Sequence, residues 1–199
     1  MKVIGTRYSI DKEAGAPALN EAMPAVFLMS DSSLLKDGKP FFVPDFAERF
    51  GSTPYVVARV SRLGKNIARR FAHRYYDALT VGIAVNAEAM HGNFCGGVPE
   101  ALACAFDGAA ILGDFVGMEE IAAAGHISAT VDGTMLMECD VAALTGCIDS
   151  LIEYVSRYFT LKIGDILYAC IIGDKTYMTP ESVVSATLNG AEILHFKVK

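Results

Sequence analysis

The sequence predicts an α+β fold that is mostly β, on three observations. Short apolar runs rich in Val, Ile, Leu and Phe recur along the chain. Between them stand turn signals, at Lys36-Asp37-Gly38-Lys39-Pro40, Asp132-Gly133, Lys162-Ile163-Gly164-Asp165 and Asn189-Gly190. Only two segments carry a clear helical period. Short turns between short apolar runs make a β-rich fold.

Taken in order, the expected strands are Lys2 to Gly5, Ala25 to Met29, Phe41 to Val43, Tyr55 to Val60, Leu79 to Val85, Ile127 to Val131, Thr134 to Glu138, Asp165 to Ile171 and Glu192 to Lys197. Asp132-Gly133 between HISATV and TMLMEC is a hairpin signal, because a type I′ turn needs positive φ at both central residues. One helix is expected over Ile67 to Tyr76, with Asn66 as its cap. A second follows the stripe Ile148, Leu151, Ile152, Val155 and Phe159. Asp149 is expected in its first turn, where the helix dipole favours an acid.

A chain of 199 residues is long enough for one full core, and a single domain over residues 1–199 is the expectation. Its 52% hydrophobic and 20% charged residues make it more apolar than an average soluble domain, which points to a subunit interface. A net charge of −6 argues against nucleic-acid binding, which needs clustered cations on an open face. The basic run Lys65 to Arg74 reads as a solvated outer face around Ile67, Phe71 and Tyr75.

No apolar run approaches the roughly 18 residues of a membrane span, and MKVIGTRYSIDKEAG has no signal-peptide core, so the expected location is cytoplasmic, with no membrane partner. Cys95, Cys104, Cys139, Cys147 and Cys170 form no C-x-x-C pair and read as reduced thiols, most of them small core residues. His91, Cys95 and His126 suggest a zinc site only weakly, because no fourth ligand is evident.

Between Tyr55 and Val85 the chain runs YVVARV, SRLGKNIARRFAHRYYDA, LTVGIAV, and neither apolar strand holds an Asp or a Glu. Four phrases carry a resemblance: SDSSLLKDGKPFFVPDF (30–46), VVARVSRLGKNIARRFAHRYYDALTVGI (56–83), AFDGAAILGDFV (105–116) and LIEYVSRYFTLKIGDILY (151–168). In order and in register they resemble the fumarylacetoacetate hydrolase family. The resemblance implies a mixed β-roll with a few covering helices, assembled as a homodimer. It also implies Mg²⁺ or Mn²⁺ holding a dicarbonyl substrate for hydrolysis, decarboxylation or isomerisation. A hard cation would chelate the keto and carboxylate oxygens and stabilise an enolate, which requires anionic oxygen ligands.

Carried over position by position, the resemblance puts the family's E-x-E pair at Thr53 and Tyr55 and its third acid ligand at Ala84. The family arginine falls on Glu88, the lysine before F-D-G on Cys104, the histidine of G-x-N-Y-x-x-H on Asp11, and the substrate-facing lysine of F-x-K-P on Met29. The late T-G-T-P loop reads Ala169-Cys170-Ile171-Ile172, an apolar strand continuation. The motifs that build the fold remain while those that do chemistry are replaced.

The expected function is therefore that of a degenerate, non-catalytic member, a structural or small-molecule-binding subunit without metal or other cofactor. It is a homodimer, or a partner of an intact relative. The alternative is an enzyme of the family's class with a metal-independent site built from Asp11, Glu88, Cys104 and Asp107 around the old pocket. In that pocket Glu88 and Asp107 would raise the pKa of Cys104, and Asp107-Gly108 reads as a turn.

Overall fold

The computed structural model describes residues 1–7, 25–121 and 125–199, together with the backbone of residues 10, 11, 16 and 17. At its centre two long antiparallel strands, Ala47–Val60 and Tyr76–Met90, pair along their length. Both run well past the expected strands. The extra residues Asn86, Ala87 and Glu88 alternate half-buried polar with buried apolar side chains, whereas Phe50, Gly51 and Ser52 opposite them are buried in succession.

On one side Ile166–Ile171 pairs antiparallel with Ala47–Val60, Val3–Thr6 lies parallel to it, and Val26–Met29 follows antiparallel. On the other side come Ala110–Leu112, antiparallel, and Leu34–Leu35, parallel to that. With the short strands Val116–Gly117 and Thr176–Tyr177, this mixed sheet has nine strands among the described residues, and it curls. A second, antiparallel sheet has the order Thr134–Asp140, His126–Val131, Val183–Leu188, Ala191–Lys197.

Asp132 and Gly133 have φ of 50° and 77°, as the hairpin signal requires, and Asn189 and Gly190 repeat the device at 52° and 81°. The strand Val183–Leu188, which Asn189-Gly190 joins to its partner, was not among the expected strands. Phe41 to Val43 is not a strand. Phe41 makes an isolated parallel bridge to Val198, with Phe41 N–H donating to the Lys197 carbonyl and Val43 N–H to that of Lys199.

Side chains of the central strand divide by parity. Val56, Ala58 and Val60 enter the larger core, with Leu79, Val81, Ile83 and Val85 of its neighbour. Tyr55 and Val57 face a smaller core on the other side, with Val3, Phe27, Met29, Cys104, Ala110, Leu112, Ile166 and Tyr168. That smaller core floors the site described below.

The larger core is covered by the helix Val141–Ser156, whose Val141, Leu144, Cys147, Ile148, Leu151, Ile152 and Val155 are buried. It begins a full two turns before the stripe read from the sequence and stops short of Phe159. Asp149 thus lies in mid-helix rather than in the first turn. Its carboxyl is pushed up, chiefly by burial, and among the described residues Oδ1 has no hydrogen-bond partner.

The basic segment holds only one helical turn, Arg69–Ala72, in place of the expected Ile67 to Tyr76. Asn66 is left-handed, with φ of 50°, and caps nothing. The backbone N–H groups of Asn66 and Ile67 donate instead to the Ser156 carbonyl and Oγ, which holds this segment to the long helix and overrides its local preference. Ile67 is buried, while Phe71 is exposed with the Arg70 and Arg74 guanidinium groups over its ring at 4.7 and 5.2 Å.

Cys104, Cys147 and Cys170 are buried, Cys139 is half-buried and Cys95 is exposed, all as free thiols. Among the described residues no helix is long and apolar enough to cross a membrane.

Candidate ligand pocket

The register of the long strands sets Thr53 directly opposite Ala84 and Tyr55 opposite Gly82. Alternation puts Tyr55 and Thr53 on one face, with Ala84 and Asn86 beside them. Val26–Met29 supplies Phe27 and Met29 to the same face, and the short helix Glu100–Cys104 supplies Cys104. Together with Arg7 and Val85, these residues line a cavity of about 40 Å³.

Five positions singled out from the sequence, Met29, Thr53, Tyr55, Ala84 and Cys104, thus meet in one small space. Two others do not line it. Asp107 is exposed in the Asp107-Gly108 turn, where Gly108 has φ of 83°, and borders a separate cleft beside Leu34 and Phe42. Glu88 lies farther along its strand. Asp11 falls on the two-residue strand Ile10–Asp11, and its side chain is outside the described residues. Arg7 and Asn86 line the cavity but were not among the sequence's candidates. Arg7 held the signal, since it stands where the family phrase has Asn.

Tyr55 is only 3% exposed, and its ring meets Phe27 and Tyr168 edge to face at 6.3 and 5.5 Å. Burial pushes its phenol well above the usual range, and Arg7 opposes this in part. Beneath it, Tyr168 donates to the Ile111 carbonyl at 3.0 Å. Gly82 makes this stack fit, because a β-carbon there would lie 2.8 Å from the Tyr168 ring. Among the described residues the Tyr55 hydroxyl makes no side-chain hydrogen bond, but it is not a fully buried unpartnered polar atom, a state that among them only Asp149 Oδ1 has.

Cys104 is 4% exposed, and its thiol pKa is raised by burial first and by Glu100 second, with Arg7 opposing. The expected contribution of Glu88 and Asp107 is replaced by that of Glu100. A thiol in this state is a small apolar wall, not a nucleophile. The Arg7 guanidinium pairs with Glu100 at 2.9 Å, and both side chains are well exposed.

Glu88 is held outside the cavity by an ion cluster. Lys175 donates to Oε1, Arg49 Nε lies 3.0 Å from Oε2, and Tyr177 donates to Oε2 at 3.4 Å. The Lys175 hydrogen bond, more than any other contact, holds this carboxyl below the usual range. Gly51 leaves the space for Lys175 to cross, since a β-carbon there would sit 2.4 Å from Lys175 Cε.

His126 lies on the second sheet, with Nε2 2.7 Å from Glu138 and Nδ1 3.4 Å from Asp140. His91 follows the long strand Tyr76–Met90, and Cys95 is exposed in the loop beyond it. Among the described residues no group of three His, Cys, Asp or Glu side chains is placed to hold a metal ion.

The family described as Fumarylacetoacetate (FAA) hydrolase C-terminal matches residues 6–199. The chain belongs to the fumarylacetoacetate hydrolase family. Among the relatives of this fumarylacetoacetate hydrolase family member, the mitochondrial oxaloacetate tautomerase of Caenorhabditis elegans is 23% identical over 147 residues, 72% of this chain and 69% of that protein. The fumarylpyruvate hydrolase of Pseudomonas aeruginosa, solved with Mn²⁺ and pyruvate, has a TM-score of 0.78 at 17% identity, covering 99% of this chain and 88% of that one. The 5-carboxymethyl-2-hydroxymuconate delta-isomerase of Mycobacterium smegmatis gives 0.80 at 18%, covering 99% and 78%. These likenesses in structure establish the curled mixed sheet as the family's fold.

The resemblance puts the metal's three carboxylates at Thr53, Tyr55 and Ala84, which the cavity brings together. What stands there is a hydroxyl, a phenol held in its neutral form and a methyl group. Hard divalent cations take oxygen ligands, carboxylates foremost. The residues present do not fit the metal.

Proposed function

We propose that this fumarylacetoacetate hydrolase family member is non-catalytic, a structural or small-molecule-binding subunit that forms a homodimer or pairs with an intact relative. The lining of the cavity carries this reading. At the positions matching the family's metal ligands stand Thr53, Tyr55 and Ala84, and among the described residues no carboxylate borders the space. The reactions named for the relatives, oxaloacetate tautomerisation and fumarylpyruvate hydrolysis, run through enolate-like charge that a bound cation would stabilise.

A metal-independent reaction would need a base or nucleophile with a pKa matched to its task. Burial raises the Cys104 thiol pKa further above its ordinary value, and Glu88 is ionised and occupied by Lys175 and Arg49. Neither is suited to the role.

The test is titration of the protein with Mg²⁺ and Mn²⁺, alone and with oxalate, beside assays of acylpyruvate hydrolysis, oxaloacetate decarboxylation and oxaloacetate tautomerisation. The expected result is no saturable metal binding at millimolar concentration and no turnover above background. Metal-dependent turnover by the unaltered chain would overturn the reading. Co-expression with an intact relative, followed by mass measurement of the complex, distinguishes a heteromer from a homodimer.

A further inference from the structure

Over most of the molecule cations stand against acids: Lys2, Arg7, Arg49, Arg59, Lys175 and Lys197 each pair with a carboxylate. The segment that joins the two long strands is different. From residue 61 to residue 76 it holds no acid, its Arg62, Lys65, Arg69, Arg70 and Arg74 are exposed, and among the described residues none of the five forms an ion pair. Arg69 is turned toward the long helix, where it acts on Asp149. The other four face no carboxylate, in a chain whose net charge is −6.

Exposed apolar side chains stand among these cations. Gly64 and Leu161 exchange both backbone hydrogen bonds, at 3.0 and 2.8 Å, and Gly164 N–H donates to the Val60 carbonyl, which locks two turns side by side. One turn carries Leu63 beside Arg62, the other Ile163 beside Lys162. Leu63 is 62% exposed, and Ile163, at 72%, is the most exposed large apolar side chain among the described residues. Lys65 Nζ donates to the Arg157 carbonyl, which sets a cation next to Tyr158, itself 61% exposed. Exposed apolar groups rimmed by charge mark an interaction surface.

The nature of the partner follows from charge and shape. Unpaired cations call for an anionic surface, and the acidity of the rest of the chain turns only this end toward it. Leu63 and Ile163 stand on turn tips, so a fluid interface admits each separately, whereas a protein partner would need a matching hollow for both. Nucleic-acid phosphates would answer the cations but not the two apolar tips. A second copy meeting this face with its own would set cation on cation. We propose that this end of the molecule docks on a bilayer surface containing anionic phospholipid, with Arg62, Lys65, Arg70, Arg74 and Lys162 against the headgroups and Leu63 and Ile163 entering the interface. Such contact needs no spanning helix, and it is independent of whether the cavity is catalytic.

The experiment is co-sedimentation of the full chain with vesicles of phosphatidylcholine alone or with about 30% phosphatidylserine, at about 0.05 M and about 0.5 M salt. Binding is expected only to the anionic vesicles and only at the lower salt. Arg62→Gln and Arg70→Gln should each lower the partition coefficient about fivefold. Arg49→Gln, at the other end of the same long strand, should leave it unchanged. The chain has no tryptophan, so Ile163→Trp supplies a single reporter whose emission should shift to the blue on the anionic vesicles. Met135→Trp, exposed on the second sheet, should not shift. Circular dichroism and thermal unfolding show that each variant is folded.

No sedimentation with anionic vesicles at the lower salt overturns the proposal, as does equal sedimentation with phosphatidylcholine alone. Equal blue shifts at both reporters overturn the placement of the contact and with it the proposal. Binding of poly-L-glutamate without binding of vesicles assigns the face to an acidic protein segment instead. Dissociation of a homodimer in solution by Ile163→Glu assigns it to a second copy. Either result overturns the membrane reading.

Discussion

Ala84 and Glu88 lie four residues apart on one strand and, by alternation, on one face of one sheet, yet their surroundings are opposites. At Ala84 the face is roofed by Val26–Met29 and the Glu100–Cys104 helix, and the described lining contains no acid. At Glu88 the roof has ended, and a carboxylate stands with Lys175, Arg49 and Tyr177 around it. The contrast teaches that this face excludes charge where it is buried and unpaired, and keeps it where partners and solvent are available. Three acids held close without a cation would repel and raise one another's pKa. Neutral groups in the roofed part carry no such cost, and at the rim partners and solvent offset it.

The largest test of this contrast puts a carboxylate back. Tyr55→Glu buries an acid whose neighbouring cation, Arg7, is exposed and already paired with Glu100, and urea unfolding at neutral pH should show a loss of about 3–5 kcal/mol. The sign with pH follows from burial, which raises the folded-state pKa of such a Glu. The penalty is therefore absent in acid, sets in above about pH 4.3, the unfolded value, and grows until the pH passes the raised folded value. Thr53→Glu, Tyr55→Glu and Ala84→Asp together restore a donor set for a hard cation. That triple variant should gain thermal stability on adding Mg²⁺, whereas the unaltered chain should not.

A smaller effect is expected one layer below. Tyr168→Phe removes the hydrogen bond to the Ile111 carbonyl in a fully buried place, with an expected cost of about 1–2 kcal/mol by the same measurement. The substitution tests whether the smaller core, rather than the cavity above it, carries the local stability.

At the rim the expected effect is smaller still. Lys175→Met removes the strongest partner of Glu88, and the loss at neutral pH should be below about 1 kcal/mol because the pair is open to solvent. The Glu88 pKa is lowered, so its stabilisation is present above the ordinary glutamate range and is lost as pH falls through the lowered value. Melting temperatures of the two proteins should therefore differ near pH 7 and draw together as pH falls below the ordinary glutamate range.

Much of this contrast was legible in the sequence, and the gaps have physical causes. The turns Asp132-Gly133 and Asn189-Gly190 both form with positive φ at each residue. The second reads as a turn, but the expected strands omit Val183–Leu188 before it, although its burial alternates as a hairpin strand's does. The resemblance puts Thr53, Tyr55 and Ala84 at one site, but the register that sets Thr53 opposite Ala84 comes from the structure. The basic helix was not readable, because its length is set by Ser156, which is 89 residues from Ile67. Local propensity cannot see a partner so distant. Nor did the residues show that Glu88 stands outside the cavity, since that depends on Lys175 and Tyr177 arriving from the short strand Thr176–Tyr177 and its approach.

The smallest expected effect is the most discriminating. Tyr55→Phe removes a hydroxyl that makes no side-chain hydrogen bond among the described residues, while keeping the ring that packs on Phe27 and Tyr168. Removing a satisfied buried group strands its partner, but removing one without such a bond strands nothing. Unfolding free energy should therefore change by no more than about 0.5 kcal/mol, in either direction. Set beside Tyr168→Phe, the pair asks the same chemical question of two stacked phenols, one with an acceptor and one without. Equal losses for both would mean that Tyr55 has an acceptor in the folded protein, and that its hydroxyl contributes to the fold.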